Sequence, residues 1–244
     1  MGRRVKIGIV ALASFAAFAL LPAGAAANAH PTPHALKHKY GRGTSTNWSG
    51  YAVDGSGASH VVGTWTQPAA NCAPGENSWS SPWVGIDGSN SNTVEQIGTD
   101  TDCSNGVPFY YAWYEMYPKR LFTIGIAVHP RDSFTGEVTY TSGAFALKLT
   151  NNTTGATFQT AQSSKKARRS SVEWVMEGPS SGLLTNFGSV AFSSASATIG
   201  GQTGNLGSFA GAQPITMVTQ QGAPRAVPSA VSAGTSFSVS WQHG

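Results

Sequence analysis

The chain has 244 residues, 40% hydrophobic and only 11% charged, with 29 glycines and a formal net charge of +4. A charged fraction less than half the roughly 25% usual in soluble domains excludes a coiled coil, a basic nucleic-acid arm and a charged disordered tail. The length suits one large domain or two small ones, and all-β domains reach about 200 residues undivided.

At the start, Arg3, Arg4 and Lys6 precede an uncharged apolar run from Ile7 to Leu21. Pro22 and small residues follow, with Ala25-Ala26-Ala27 or Ala27-Asn28-Ala29 as cleavage sites. This pattern predicts a secretory signal peptide over residues 1–29, because the run is shorter than the roughly 20 residues a membrane span needs. The mature protein is expected to be secreted and extracellular, with no membrane association after signal cleavage. Removing residues 1–29 leaves 12 Lys and Arg against 11 Asp and Glu, so the basic balance points to export and no nucleic-acid partner is expected. Residues 30–44 are a short basic leader with His30, His34, Lys37, His38, Lys39 and Arg42 and no acid. It reads as a disordered leader or as a pro-segment that shields an acidic cleft until removed. His30, His34 and His38 have a spacing that would suit a metal on a helix, but Pro31 and Pro33 disfavour that helix. No metal and no cofactor is expected.

Two cysteines, Cys72 and Cys103, remain in an exported chain, which predicts one disulfide. From about Ser45 onward short alternating runs are broken by Gly, Asn, Ser and Pro. They include His60–Thr66, Ser81–Ile86, Phe109–Tyr117, Leu121–Val128, Glu137–Thr141, Ala144–Thr150, Val172–Met176, Ser189–Ala197, Ile215–Gln220 and Ser236–Trp241. These runs are rich in Val, Ile, Thr and aromatics, and none holds a long 3.6-residue pattern. An all-β sandwich or barrel forming one domain over residues 45–244 is predicted.

Familiar catalytic patterns are missing: there is no G-x-S-x-G elbow, no H-E-x-x-H helix and no Asp-Thr-Gly pair. A serine triad would have to draw on His60, His129 or His243, each of which reads as an ordinary surface residue. What stands out is a set of acids embedded in aromatic strands of a charge-poor chain. Alternation along Ser171–Glu177 puts Val172, Trp174 and Met176 on a core face and Glu173, Val175 and Glu177 on the other. Likewise Trp83 and Asp87 lie opposite Val84 and Ile86, and Glu115 shares a face with Tyr111, Trp113 and Tyr117. Gln96 lies opposite Glu95. Aromatics and acids on a face turned away from the core are what a substrate groove requires.

The motifs Asn47-Trp48-Ser49-Gly50, Trp83-Val84-Gly85-Ile86-Asp87-Gly88, Gln96-Ile97-Gly98-Thr99-Asp100, Ala112-Trp113-Tyr114-Glu115-Met116-Tyr117-Pro118, Glu173-Trp174-Val175 and Phe187-Gly188-Ser189-Val190 occur in this order. Together they resemble the glutamic peptidases, the eqolisin family, from about Asn47 to Trp241. The resemblance implies a concanavalin/lectin-like β-sandwich of two antiparallel sheets with a concave active-site face. It implies a secreted acid endopeptidase acting on protein or peptide substrates, with Gln96 and Glu173 as the catalytic pair. Trp48, Trp83, Asp87, Asp100 and Glu115 fall at positions that line or support the cleft, and a monomer is expected. Two features depart from the best-known fungal members: the leader is short and the mature balance is near neutral. Lys165-Lys166-Ala167-Arg168-Arg169, just before the Glu173 strand, reads as an exposed turn or as a processing site. Asn47, Asn151 and Asn152 each head a glycosylation sequon. The rival from another class is a non-catalytic carbohydrate-binding module that would use the same tryptophans to stack sugars.

Overall fold

The computed structural model describes Met1, Gly2 and residues 43–244. By compactness the chain divides into residues 1–31 and 32–244, and everything described below belongs to the second unit. The expected signal-peptide motifs, the His30/His34/His38 spacing and nearly all of the basic leader therefore lie outside the described residues.

The regular structure of the described residues is strand, apart from one 3-10 turn at Leu206–Ser208. The first nine strands are β1 (Thr44–Ser45), β2 (Trp48–Asp54), β3 (His60–Thr66), β4 (Ser81–Ile86), β5 (Val94–Thr99), β6 (Asp102–Ser104), β7 (Val107–Phe109), β8 (Ala112–Tyr117) and β9 (Phe122–Ile124). They are followed by β10 (Ser133–Thr141), β11 (Ala144–Asn151), β12 (Thr157–Gln162), β13 (Ser171–Glu177), β14 (Ser189–Ile199), β15 (Gln202–Asn205), β16 (Ala212–Val218), β17 (Pro224–Pro228) and β18 (Phe237–Trp241).

Two antiparallel sheets result, as expected. The back sheet runs β12-β11-β10-β3-β14-β18-β17-β16 and the front sheet β16-β2-β13-β4-β5-β8-β9. Strand β16 serves both: Ala212–Ile215 pair with β2, and Met217 and Val218 pair with β17. Such a strand turns the corner between packed sheets.

The core lies between the sheets. Val61, Trp65, Phe134, Val138, Leu147 and Leu149 from the back meet Val84, Ile86, Ile97, Val172, Trp174 and Met176 from the front. Each fully buried large side chain contributes about 1.5–3 kcal/mol over its exposed state. Two cross-strand neighbours, Gly63 and Gly136, make room for the large rings. A Cβ on Gly63 would lie 2.6 Å from the Trp174 indole, and one on Gly136 2.9 Å from that of Trp65. Strand β13 is buried along its whole length, because both of its faces are covered. A disulfide joins Cys72 to Cys103 with Cα atoms 5.7 Å apart, as predicted. Closing this loop is worth about 3–4 kcal/mol on the chain-entropy account.

Candidate active site

Strand pairing sets Ala52, Glu173, Gly85, Gln96 and Glu115 in one row across β2, β13, β4, β5 and β8. The row lies on the face of the front sheet turned away from the core. That face carries its own apolar cluster of Trp48, Ala52, Trp83, Val94, Trp113, Val175 and Ile215. Period-2 alternation explains the placement: Val172 and Trp174, on either side of Glu173, belong to the inter-sheet core, so Glu173 must face the other way.

Gly85 stands between the two groups expected to do chemistry. Adjacent strands are about 4.8 Å apart, so Glu173 and Gln96 stand on either side of a position that carries no side chain of its own, over which the Trp83 ring packs. A Cβ there would come within 3.0 Å of the Trp83 ring and 3.1 Å of the Gln96 Cβ.

Gln96 Nε2 donates to Glu115 Oε2 at 2.7 Å, while Gln96 Oε1 accepts no hydrogen bond among the described residues. Glu173 Oε1 accepts from the Ser89 backbone N–H at 3.3 Å. Two rows along, Glu177 accepts from Trp83 Nε1 at 2.8 Å and Asn47 Nδ2 at 3.0 Å. Glu173, Gln96, Glu115 and Glu177 are all buried.

Burial governs the electrostatics, since desolvation disfavours a charged carboxylate. It raises the Glu173 carboxyl well above the usual range; the charges of Asp87 and Asp54 add to this, and hydrogen bonds from Ser171 and Ser89 oppose it. Burial also lifts Glu115 to about 7, against its hydrogen bond from Gln96. Glu177 rises to about 8 through burial and the neighbouring Glu115 charge, opposed by the Trp83, Trp48 and Asn47 donors. One face therefore holds three carboxyls that all favour the protonated form.

The remaining predicted residues take supporting positions. Trp48 and Trp83 are fully buried and meet edge to face at 4.9 Å, forming a floor for the site. Asp87, at φ 71°, accepts from the backbone N–H groups of Arg168, Arg169 and Ser170 at 2.8–2.9 Å, and from the Ser170 hydroxyl. Its carboxylate is thus spent on holding the loop before β13. Asp100 accepts from Ser81 Oγ at 2.5 Å, and Ser81 in turn accepts from Trp113 Nε1 at 3.0 Å. Phe187 and Val190 belong to the inter-sheet core, away from this face.

Sequence reasoning left Glu177, Asn47, Gly85 and Ser89 without a site role. The Glu173/Val175/Glu177 alternation had already placed Glu177 on the right face. Asn47 and Asn151 are buried with side-chain amides bonded to Glu177 and Asp132, which closes both sequons, whereas Asn152 is exposed. His60 pairs with Glu137 at 2.9 Å and His129 with Asp132 at 3.4 Å. Among the described residues no three His, Cys, Asp or Glu side chains are grouped to hold a metal.

Comparison with known proteins identifies the family. The sequence model of the Peptidase A4 family matches residues 46–241. Aspergillopepsin-2 from Aspergillus niger is 30% identical over 187 residues, which cover 65% of this chain and 66% of that protein. Among solved structures, scytalido-glutamic peptidase with a transition state analog inhibitor aligns at a TM-score of 0.70 and 27% identity, over 81% of this chain and 98% of that one. SCP-B, a member of the eqolisin family in complex with the tripeptide Ala-Ile-His, aligns at 0.66 and 25% identity, over 81% and 98%. The chain belongs to the Peptidase A4 family.

Proposed function

We propose that the protein is an exported endopeptidase that hydrolyses peptide bonds on the acidic side of neutrality through Glu173 and Gln96. The observation that carries this is the row in which Gly85, with no side chain, separates Glu173 from Gln96 on one face of the front sheet. A scissile amide placed over Gly85 has the carboxyl on one side and the amide donor on the other.

Ionised Glu173 takes a proton from a water that attacks the carbonyl carbon, then returns it to the leaving nitrogen, which departs as the amine. The Gln96 N–H not used by Glu115 donates to the developing oxyanion; a preorganised donor of this kind typically lowers the barrier by about 2.7–4 kcal/mol. Burial favours the protonated Glu173 carboxyl, so activity on the acidic side requires that water admitted with the substrate solvate the group and bring its pKa down. The bound transition state analog in scytalido-glutamic peptidase and the tripeptide on SCP-B support a peptide substrate.

The same reading takes residues 1–29 as the export signal and residues 30–44 as a short basic leader or pro-segment. A chain cut near Thr44 holds 9 Lys and Arg against 11 Asp and Glu. Assay of the purified protein on casein between pH 2 and 7, with and without pepstatin, tests the reading. Cleavage that pepstatin leaves intact is expected, since no aspartic dyad motif is present; no cleavage at any pH contradicts it.

A further inference from the structure

Where β5 begins and β8 ends, at one end of the row that holds Glu173 and Gln96, lies a basic recess. Two adjoining cavities of about 310 and 400 Å³ share Thr93, Pro118 and Lys166 as walls. Lys119 and Lys165 line one of them and Arg168 the other. No acidic side chain lines either cavity, and among the described residues none of these four cations is in a salt bridge. In a chain with so little charge, four unpaired cations around one recess need a reason.

The recess is built rather than incidental. Its loop wall is fixed from behind by Asp87, which binds the backbone N–H groups of Arg168, Arg169 and Ser170. Across the opening, Lys119 Nζ reaches the Ser163 carbonyl at 3.4 Å. Arg169 is drawn off separately, its guanidinium 4.1 Å from the centre of the Tyr140 ring. The anchoring Asp87 offsets one positive charge. Glu95 lies nearby on the core face, held neutral by burial, which lifts it to about 9. The recess therefore keeps a net positive charge.

Its position links it to the site. Thr93 is three residues before Gln96 along the chain that forms β5, and Tyr117 is two residues beyond Glu115 on β8. Tyr117 packs on the same apolar cluster as Trp83 and Trp113. At about 3.3 Å per residue the recess lies roughly 10 Å from the Gln96 position, or about three residues along an extended substrate.

The geometry points to a carboxylate-binding subsite, in which Lys119, Lys165, Lys166 and Arg168 select a substrate carrying a carboxylate about three residues from the scissile bond. This rests on the peptidase reading above. The carboxylate comes either from an Asp or Glu side chain or from the substrate's C-terminus, and both would be held by charge-assisted contacts in a partly exposed site.

Matched peptides test it at pH 5.5, where side-chain carboxylates are ionised. Pairs with a C-terminal amide carry Asp or Asn at each position two to four residues on either side of the cleaved bond. A further arm carries a free C-terminal carboxylate and no acidic side chain. At one position, or in the free-carboxylate arm, kcat/KM is expected to favour the acid by about three- to tenfold. The preference falls as salt is added. Lys166→Glu weakens it, because the recess then holds one negative charge among three positive ones, and cleavage of the neutral peptide shows that this variant is folded. Equal rates within every pair and in the free-carboxylate arm overturn the subsite while leaving the peptidase reading intact. A preference undiminished in both Lys166→Glu and Lys119→Glu also overturns it. Failure to cleave any peptide overturns the peptidase reading and the subsite with it.

Discussion

Gln96 gives one of its two amide hydrogens to Glu115 across the β5–β8 pair at 2.7 Å. This fixes the plane of the amide and leaves its second N–H unused by Glu115. In the proposed mechanism that N–H is the oxyanion donor and Glu115 acts through Gln96, as a positioning residue. Glu115→Ala is expected to lower kcat about 10- to 100-fold with little change in KM, because a misplaced donor loses much of its effect. Glu115→Gln restores part of the rate, since its carbonyl still accepts from Gln96. Equal losses in kcat for both variants would contradict the role.

The close packing over Gly85 yields a prediction about space. Gly85→Ala places a methyl 3.0 Å from the Trp83 ring and 3.1 Å from the Gln96 Cβ. Overpacking of this kind typically costs about 1–3 kcal/mol, and here it also displaces the donor. A fall in kcat/KM of about tenfold or more is expected, with a modest drop in Tm. Steady-state kinetics beside a melting curve separates the two effects.

Asp87 acts by holding the loop. Asp87→Ala leaves the N–H groups of Arg168, Arg169 and Ser170 without their acceptor, at a cost of about 1–3 kcal/mol for each one that water fails to satisfy. The exposed basic run at 165–169 should then be cut by trypsin faster than in the parent, seen as two fragments on a gel held together by no new bond. An unchanged cleavage rate would mean that the loop is fixed by something else.

The buried carboxyls give stability a defined pH dependence. Glu115, Glu177 and Glu95 are raised to about 7, about 8 and about 9 from an ordinary 4.5. The folded state therefore binds more protons than the unfolded state across this window, and stability falls as pH rises. The contribution is fully present below about pH 4.5 and is lost as pH climbs through 7 to 9. Tm should be highest near pH 4 and decline toward pH 8, with Glu95→Gln flattening the decline. A Tm that rises over this range would contradict the assignment.

Much of this was legible from alternation and spacing. The runs His60–Thr66 and Ser81–Ile86 coincide with β3 and β4, and Val172–Met176 lies inside β13. Where alternation was weak, strands went unseen. Strand β2 is buried on both faces, β12 is a largely polar edge strand, and β17 is bounded by prolines. The run Phe109–Tyr117 divides because Tyr111 leaves the ladder to accept from the Asp100 N–H at 2.8 Å. At the site, the faces of Glu173, Gln96 and Glu115 followed from period-2 reasoning. The work of Asp87 did not, because its partners lie more than 80 residues away along the chain and no periodicity encodes them. The placing of Gly85 between Glu173 and Gln96 likewise depends on the pairing of three strands at once.

The central claim is that Glu173 moves the proton in peptide-bond hydrolysis. Glu173→Gln keeps the shape of the side chain and removes its acid–base function, and relieving a buried carboxyl should leave Tm at neutral pH equal or higher. The measurement is kcat/KM of this variant on a peptide that the parent cleaves. The account predicts a loss of at least about 10²-fold with the fold intact; a folded Glu173→Gln variant that retains full activity would contradict it.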